Sequence, residues 1–155
     1  MIIGLVGLAG SGKGTAGDIL KRDYDFKSIA YADAVKDATT AIFGWPRELL
    51  EGDTETSREF RETVDPWWEE ALQWKGFTPR TALQLMGTEA GRDVFHPDLW
   101  VKVVEQKMEM HRLIDHNMVI TDVRFPNEIA SIQKKGGFVV RVTRGPDPDW
   151  FADAI

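Results

Sequence analysis

The chain contains no cysteine, which excludes disulfides, thiolate metal sites and a Cys nucleophile. Histidine is scarce. His96, His111 and His116 do not fall in a metal-ligand spacing and read as surface or helix-end residues. No run of 18 apolar residues exists, so no membrane-spanning helix is expected. The apolar start, Met1 to Val6, is too short for a secretory signal and has no basic residues ahead of it. A soluble protein of the cytoplasm is therefore expected, acting away from membranes. An excess of positive charge is also missing. The net charge of −6 disfavours a general nucleic-acid binder. Internal repeats and low-complexity tracts are absent.

What is present is an ordinary globular composition: 155 residues, 43% hydrophobic, with 6 Trp and 8 Phe. That is enough for one domain with a real core, and it is compatible with a monomer or a homodimer. The negative charge is concentrated in one segment. Residues 48–70 carry nine carboxylates against Arg58 and Arg61. Outside that segment the charges nearly cancel, so an anion can bind at chosen points without opposing a strong global field.

Apolar, β-branched Ile2 to Val6 reads as a buried strand, followed by a Gly-rich turn and a helix from Thr15 to Arg22 with Ala16, Ile19 and Leu20 on one face. Phe26 to Tyr31 reads as a second strand. Ala32 to Phe43 reads as a helix with Ala34, Val35, Ala38 and Ile42 inward, stopped by Gly44 and Pro46. Residues 47–75 read as one or two mobile helices outside the sheet, and Asp65-Pro66 has the signature of a helix start. Thr78-Pro79 opens a helix to about Ala90, and Pro97-Asp98 opens another to about Ile114, with Val101, Val104 and Met108 inward. Met118 to Thr121 reads as a third strand. Phe125 to Lys135 reads as a helix closed by Gly136-Gly137, and Phe138 to Thr143 as a fourth strand. The tail from Arg144 to Ile155 is expected to be irregular. Strands alternating with amphipathic helices predict a parallel α/β sheet.

Gly7 to Thr15, GLAGSGKGT, contains G-x-x-x-x-G-K directly between a strand and a helix. That context is what a phosphate cradle requires. Glycines let backbone N–H groups turn inward, the helix N-terminus adds partial positive charge, and Lys13 reaches the terminal phosphates. A Gly-rich turn that holds nothing is the plainer alternative. Gly14 occupies the position of the usual magnesium-binding hydroxyl, and Thr15 follows it. The Lys-Gly-Thr order resembles nucleoside monophosphate kinases. That resemblance implies that Thr15 contacts phosphate and that the metal is held largely through water.

Asp122 ends a buried strand, where open α/β sheets place ligands. It can hold magnesium through water, and Arg124 just beyond can fork a phosphate. The alternative is a carboxylate that caps a turn beside a solvated Arg. Asp33 and Lys36 follow the second strand. Arg80, Gln84 and Thr88 form a polar stripe at i, i+4, i+8, with Ala82, Leu83, Met86 and Ala90 opposite and Gly87 mid-helix. With Arg92 and Trp100 they supply what a nucleotide needs: a phosphate clamp, an amide for a base edge and an indole for a base face. A solvated helix face with Trp100 in the core would leave the same pattern.

These blocks, with Tyr31 to Lys36, Arg80 to Thr88, His96 to Val101 and Thr121 to Glu128, resemble the bacteriophage-type deoxynucleoside monophosphate kinases from residue 1 to about 144. The resemblance implies a P-loop NTPase fold: a three-layer α/β/α domain over residues 1–155, with a parallel sheet of about four to five strands. Residues 47–75 would be a helical acidic insertion acting as a lid or acceptor-binding element. It also implies ATP-dependent phosphoryl transfer to deoxynucleoside monophosphates, with host cytoplasm as the setting of a phage-encoded enzyme. Gly10, Ser11, Gly12, Lys13, Gly14 and Thr15 would hold ATP, and Thr15 and Asp122 would contact Mg²⁺. Lys13, Asp122, Arg124 and Arg92 would be the catalytic set. Asp33, Lys36, Arg80, Gln84, Thr88 and Trp100 would bind the acceptor.

An acceptor phosphate is largely a dianion at neutral pH and needs no general base. A hydroxyl acceptor would need one, and Asp33 could serve. A kinase of a hydroxylated small molecule is therefore one alternative, and a non-catalytic nucleotide-binding switch is another.

Overall fold

Short runs, apolar above all in the two central strands, form a fully parallel sheet in the computed structural model, which describes residues 1–146. The strands are β1 (Ile2–Val6), β2 (Lys27–Ile29), β3 (Met118–Val123) and β4 (Phe138–Arg141), in the order β2-β3-β1-β4. The central pair is the most buried: Met118, Val119 and Ile120 of β3 are sealed, and Leu5 of β1 packs with Phe26 and Val119.

Two helices cover the sheet. α1 (Lys13–Tyr24) follows β1, and α7 (Pro126–Lys134) follows β3. Gly4 faces Ile132 of α7, while the next residue, Leu5, faces Gly17 of α1. Adjacent strand residues point to opposite faces, so the two helices lie on opposite sides and the layers are α/β/α. The close approach of α1 is set by Gly17, where a Cβ would lie 2.7 Å from the Thr121 side chain. The expected inward residue Ile19 is instead 40% exposed, because the helix rolls toward its glycine rather than toward its largest apolar side chain.

The chain forms two compact units. The sheet unit comprises residues 1–31 and 103–146, the latter within a segment that continues past the described residues; the helical unit comprises residues 32–102. α2 (Tyr31–Phe43) leads into the helical unit. Its buried positions there are Val35 and Thr39, and Ile42, expected inward, is 54% exposed. A 3₁₀ turn (Arg47–Leu50), α3 (Glu55–Glu62), α4 (Pro66–Leu72) and α5 (Pro79–Leu85) follow. Residues 47–75 thus hold three short helical elements where one or two were expected. They are short because caps interrupt them. Thr54 caps α3 through the Ser57 N–H, and Asp65 caps α4 through the Trp68 N–H with Pro66 at the first position. Their core is Trp45, Leu50, Phe77 and Ala82, with Phe43, Phe60, Trp68 and Leu83 around it. Phe43 and Trp45 stack at 4.6 Å.

The helix expected to run to Ala90 changes character. After Leu85 it widens into a π-helix, Met86–Phe95, before α6 (Leu99–Leu113) begins. Val101, Val104 and Met108 are buried as expected. β2 stops at Ile29 and β4 at Arg141, both shorter than expected, while β3 extends through Asp122 to Val123. The expected irregular tail is irregular over residues 144–146, and its remainder lies outside the described residues.

Candidate active site

The turn after β1 is built on glycine. Gly10 and Gly12 have φ of 78° and 99°, a region that L side chains rarely enter. At Gly7 a Cβ would lie 2.4 Å from the Val142 carbonyl oxygen. Gly12 is the N-cap of α1 and offers no side chain to its first turn. No N-cap side chain therefore occupies the N–H groups of the first turn, which suits an anion.

Lys13 arches over that loop, its Nζ donating to the carbonyls of Gly7 at 2.6 Å and Leu8 at 2.8 Å. Partial burial, and secondarily the Arg124 guanidinium, push its pKa below the ordinary lysine value. The Lys13 ammonium is thus repelled by a second cation. A phosphate arriving at the loop would relieve that repulsion. Ser11, a residue 9% exposed, adds a buried hydroxyl that has no hydrogen-bond partner among the described residues. An orphaned buried hydroxyl in an anion-shaped loop fits a phosphate oxygen. Gly14 and Thr15 are exposed on the first turn.

Asp122 lies where β3 bulges. Between paired positions, β1 spends one residue, Leu5, and β3 spends two, Thr121 and Asp122. A bulge re-aims the side chain it carries. One Asp122 carboxylate oxygen accepts from the Tyr31 backbone N–H at 2.9 Å. Just beyond, the buried Glu128 carboxylate accepts from the N–H groups of Arg124 at 2.7 Å and Phe125 at 3.0 Å. That cap fixes the backbone of the turn that bears the exposed Arg124. Tyr31 donates its hydroxyl to the Glu128 carbonyl at 3.3 Å. Burial, then the charges of Glu128, Asp122 and Glu105, push its phenol pKa far up, so it remains protonated.

Among the described residues, no cluster of three or more His, Asp or Glu side chains is arranged around a metal. Magnesium does not require one. It keeps several waters and commonly takes one or two carboxylates plus substrate phosphates, a requirement that Asp122 with the cradle meets.

Within the sheet unit, Gly10 to Thr15, Asp122 and Arg124 thus all lie at the C-terminal ends of β1 and β3. A cavity of about 140 Å³ adjoins the loop, lined by Leu8 to Ser11 and by Arg141 to Pro146. Arg141 and Arg144 escaped sequence reasoning. The available signal was their position at and just past the C-terminal end of β4, the same ligand-bearing edge.

The candidate acceptor residues belong to the helical unit. Lys36 pairs with Glu51 at 2.5 Å, and Asp33 with Arg47 at 3.3 Å; Arg47 also holds Asp37 and Glu51. Arg80 pairs with Glu62 on the surface. Gln84 and Thr88 are exposed, but the π-helix begins between them, so the expected straight stripe bends at Met86. Arg92 is half-buried in the last turn of that π-helix. Trp100 is 8% exposed, its ring against Gly91 and its indole N–H donating to the Gly87 carbonyl at 2.8 Å.

No family model matches the chain. Two curated proteins do. One, from Acanthamoeba polyphaga mimivirus, is provisionally named a deoxynucleotide monophosphate kinase; it is 32% identical over 158 residues, covering 93% of this chain and 74% of the relative. The chain belongs to the deoxynucleotide monophosphate kinase family. The second, the deoxynucleoside-5'-monophosphate kinase of Escherichia phage T5, is 28% identical over 177 residues, covering 83% of this chain and 70% of the relative. In this family member no helix among the described residues is long and apolar enough to cross a membrane.

Proposed function

We propose that the protein transfers the γ-phosphoryl group of ATP to deoxynucleoside monophosphates, yielding the diphosphates and ADP. The observation that carries this reading is the loop after β1, with its glycine-shaped turn, its orphaned Ser11 hydroxyl and Lys13 beside Arg124. The names of both relatives supply the acceptor class.

Phosphoryl transfer depends on positioning and charge neutralisation more than on covalent chemistry. The amides of Gly10 to Thr15 and the Lys13 ammonium hold the donor phosphates. The rest of the donor lies toward the cavity lined by Arg141 to Pro146. Asp122, through water, and Thr15 would hold a magnesium ion, which would supply neutralisation of charge on the donor phosphates. Arg124 and Arg92 bind phosphate oxygens. Lys36, Arg80, Gln84 and Thr88 contribute to acceptor binding, and Asp33 does so through its pairing with Arg47 rather than as a base. The acidic helices of residues 47–75 close during turnover and exclude water, which would otherwise accept the phosphoryl group.

The test is product identification. Purified protein with ATP, Mg²⁺ and one deoxynucleoside monophosphate should give ADP and the deoxynucleoside diphosphate in equal amounts. ADP with inorganic phosphate and no diphosphate would contradict the reading.

A further inference from the structure

We propose that Trp100 is a positioning residue: its indole, seated on Gly91 and bonded to Gly87, locks the π-helix that carries Arg92. π-Helical hydrogen bonding normally occurs as single-turn bulges, frequently at functional sites. Here it runs over ten residues, Met86–Phe95. Something must favour the wide form over the α-helix that the sequence pattern supports, and three observations identify the indole.

First, a Cβ at Gly91 would lie 2.5 to 2.7 Å from three atoms of the Trp100 ring, so only glycine admits the indole there. Second, the Trp100 N–H donates to the Gly87 carbonyl at 2.8 Å, one turn earlier. It thereby satisfies a carbonyl in the stretch where the α-helical ladder is lost. Third, the Gly91 carbonyl accepts from the His96 N–H, an i to i+5 bond, at 3.1 Å. The ring therefore spans the two glycines, and Arg92 follows directly on the second. Each residue of a π-helix turns less about the axis than in an α-helix. Arg92 consequently points elsewhere than an α-helical continuation of α5 would place it.

The inference rests on the reading of Arg92 as a phosphate-binding group, and it assigns Trp100 a role through Arg92 rather than against a base. Two measurements test it. In the wild-type chain, the Trp100 indole N–H should exchange with D₂O at least ~100-fold more slowly than that of Trp67, which is 65% exposed. Similar exchange at the two indoles overturns the lock, whether or not any variant folds. In Trp100→Phe, which keeps an aromatic ring and removes the donor, the KM for the deoxynucleoside monophosphate should rise about tenfold. The factor should be the same for purine and pyrimidine acceptors, with the KM for ATP within about twofold of wild type. In an Arg92→Ala background the same substitution should have no further effect. A factor that depends on the base, or effects of the two substitutions that simply add, overturns the proposal. If the wild-type protein turns over no acceptor at all, the functional reading fails, and the exchange measurement still decides the lock.

Discussion

Asp122 accepts a hydrogen bond from the backbone N–H of Tyr31 at 2.9 Å. One carboxylate therefore has two separable properties, an acceptor oxygen for the backbone and a charge beside the phosphate cradle. Asp122→Asn retains the first and removes the second. It should lower kcat about 100-fold or more while the melting temperature stays within about 3 °C of wild type. Asp122→Ala removes both and should also destabilise by ~1–2 kcal/mol, read by denaturant unfolding. Equal loss of stability in both variants would make Asp122 a purely structural group.

Lys13→Met should reduce kcat/KM by about 10³-fold. Its thermal midpoint should equal or exceed that of wild type, because burial and Arg124 both disfavour the ammonium in the empty loop. Circular dichroism melts check this. A large drop in midpoint would mean that the bonds to the Gly7 and Leu8 carbonyls hold the fold rather than await a ligand.

Asp65 joins two parts of the helical unit. Its carboxylate caps α4 through the Trp68 N–H at 3.0 Å and accepts from the Trp45 indole N–H at 2.7 Å. Asp65→Ala removes the cap and orphans a largely buried indole donor. It should cost ~2–3 kcal/mol in urea unfolding. A cost near zero would show that solvent replaces both bonds.

Glu51 makes the helical unit acid-sensitive. Burial opposes its ionisation, but its bonds and charge interactions with Lys36 and Arg47 outweigh burial and hold its pKa below the ordinary 4.5. The folded carboxyl therefore binds fewer protons than the unfolded one. Its stabilisation is complete above the unfolded pKa and is lost as pH falls through the folded value. Lys36→Met removes one of the two cationic partners and should move the acid-unfolding midpoint to higher pH. An unchanged midpoint would exclude this pair as a determinant of acid stability.

Local chemistry made much of this architecture legible. The apolar run Ile2–Val6 and the glycines after it specify β1 and its turn without help from the rest of the chain. Asp65-Pro66 and Thr78-Pro79 announce helix starts, because a cap acts within three residues. Tertiary contacts decided the rest. Nothing near Ile19 reveals that α1 rolls onto Gly17, since the cause is Thr121, a hundred residues away. Gly87 and Gly91 do not announce a π-helix until Trp100 is placed against them. In the candidate site, Gly10 to Thr15, Asp122 and Arg124 were legible from strand ends. Arg141 and Arg144 sit at a strand end as well, but only the pairing of β4 with β1 shows that this end flanks the loop.

The most direct measurement is ADP release with ATP–Mg²⁺, followed against a panel of the deoxynucleoside monophosphates, for wild type and Lys13→Met in parallel. The account predicts turnover that depends on the acceptor in wild type and is lost in the variant. ATP binding without acceptor-dependent turnover across the whole panel, or full turnover in Lys13→Met, would contradict it.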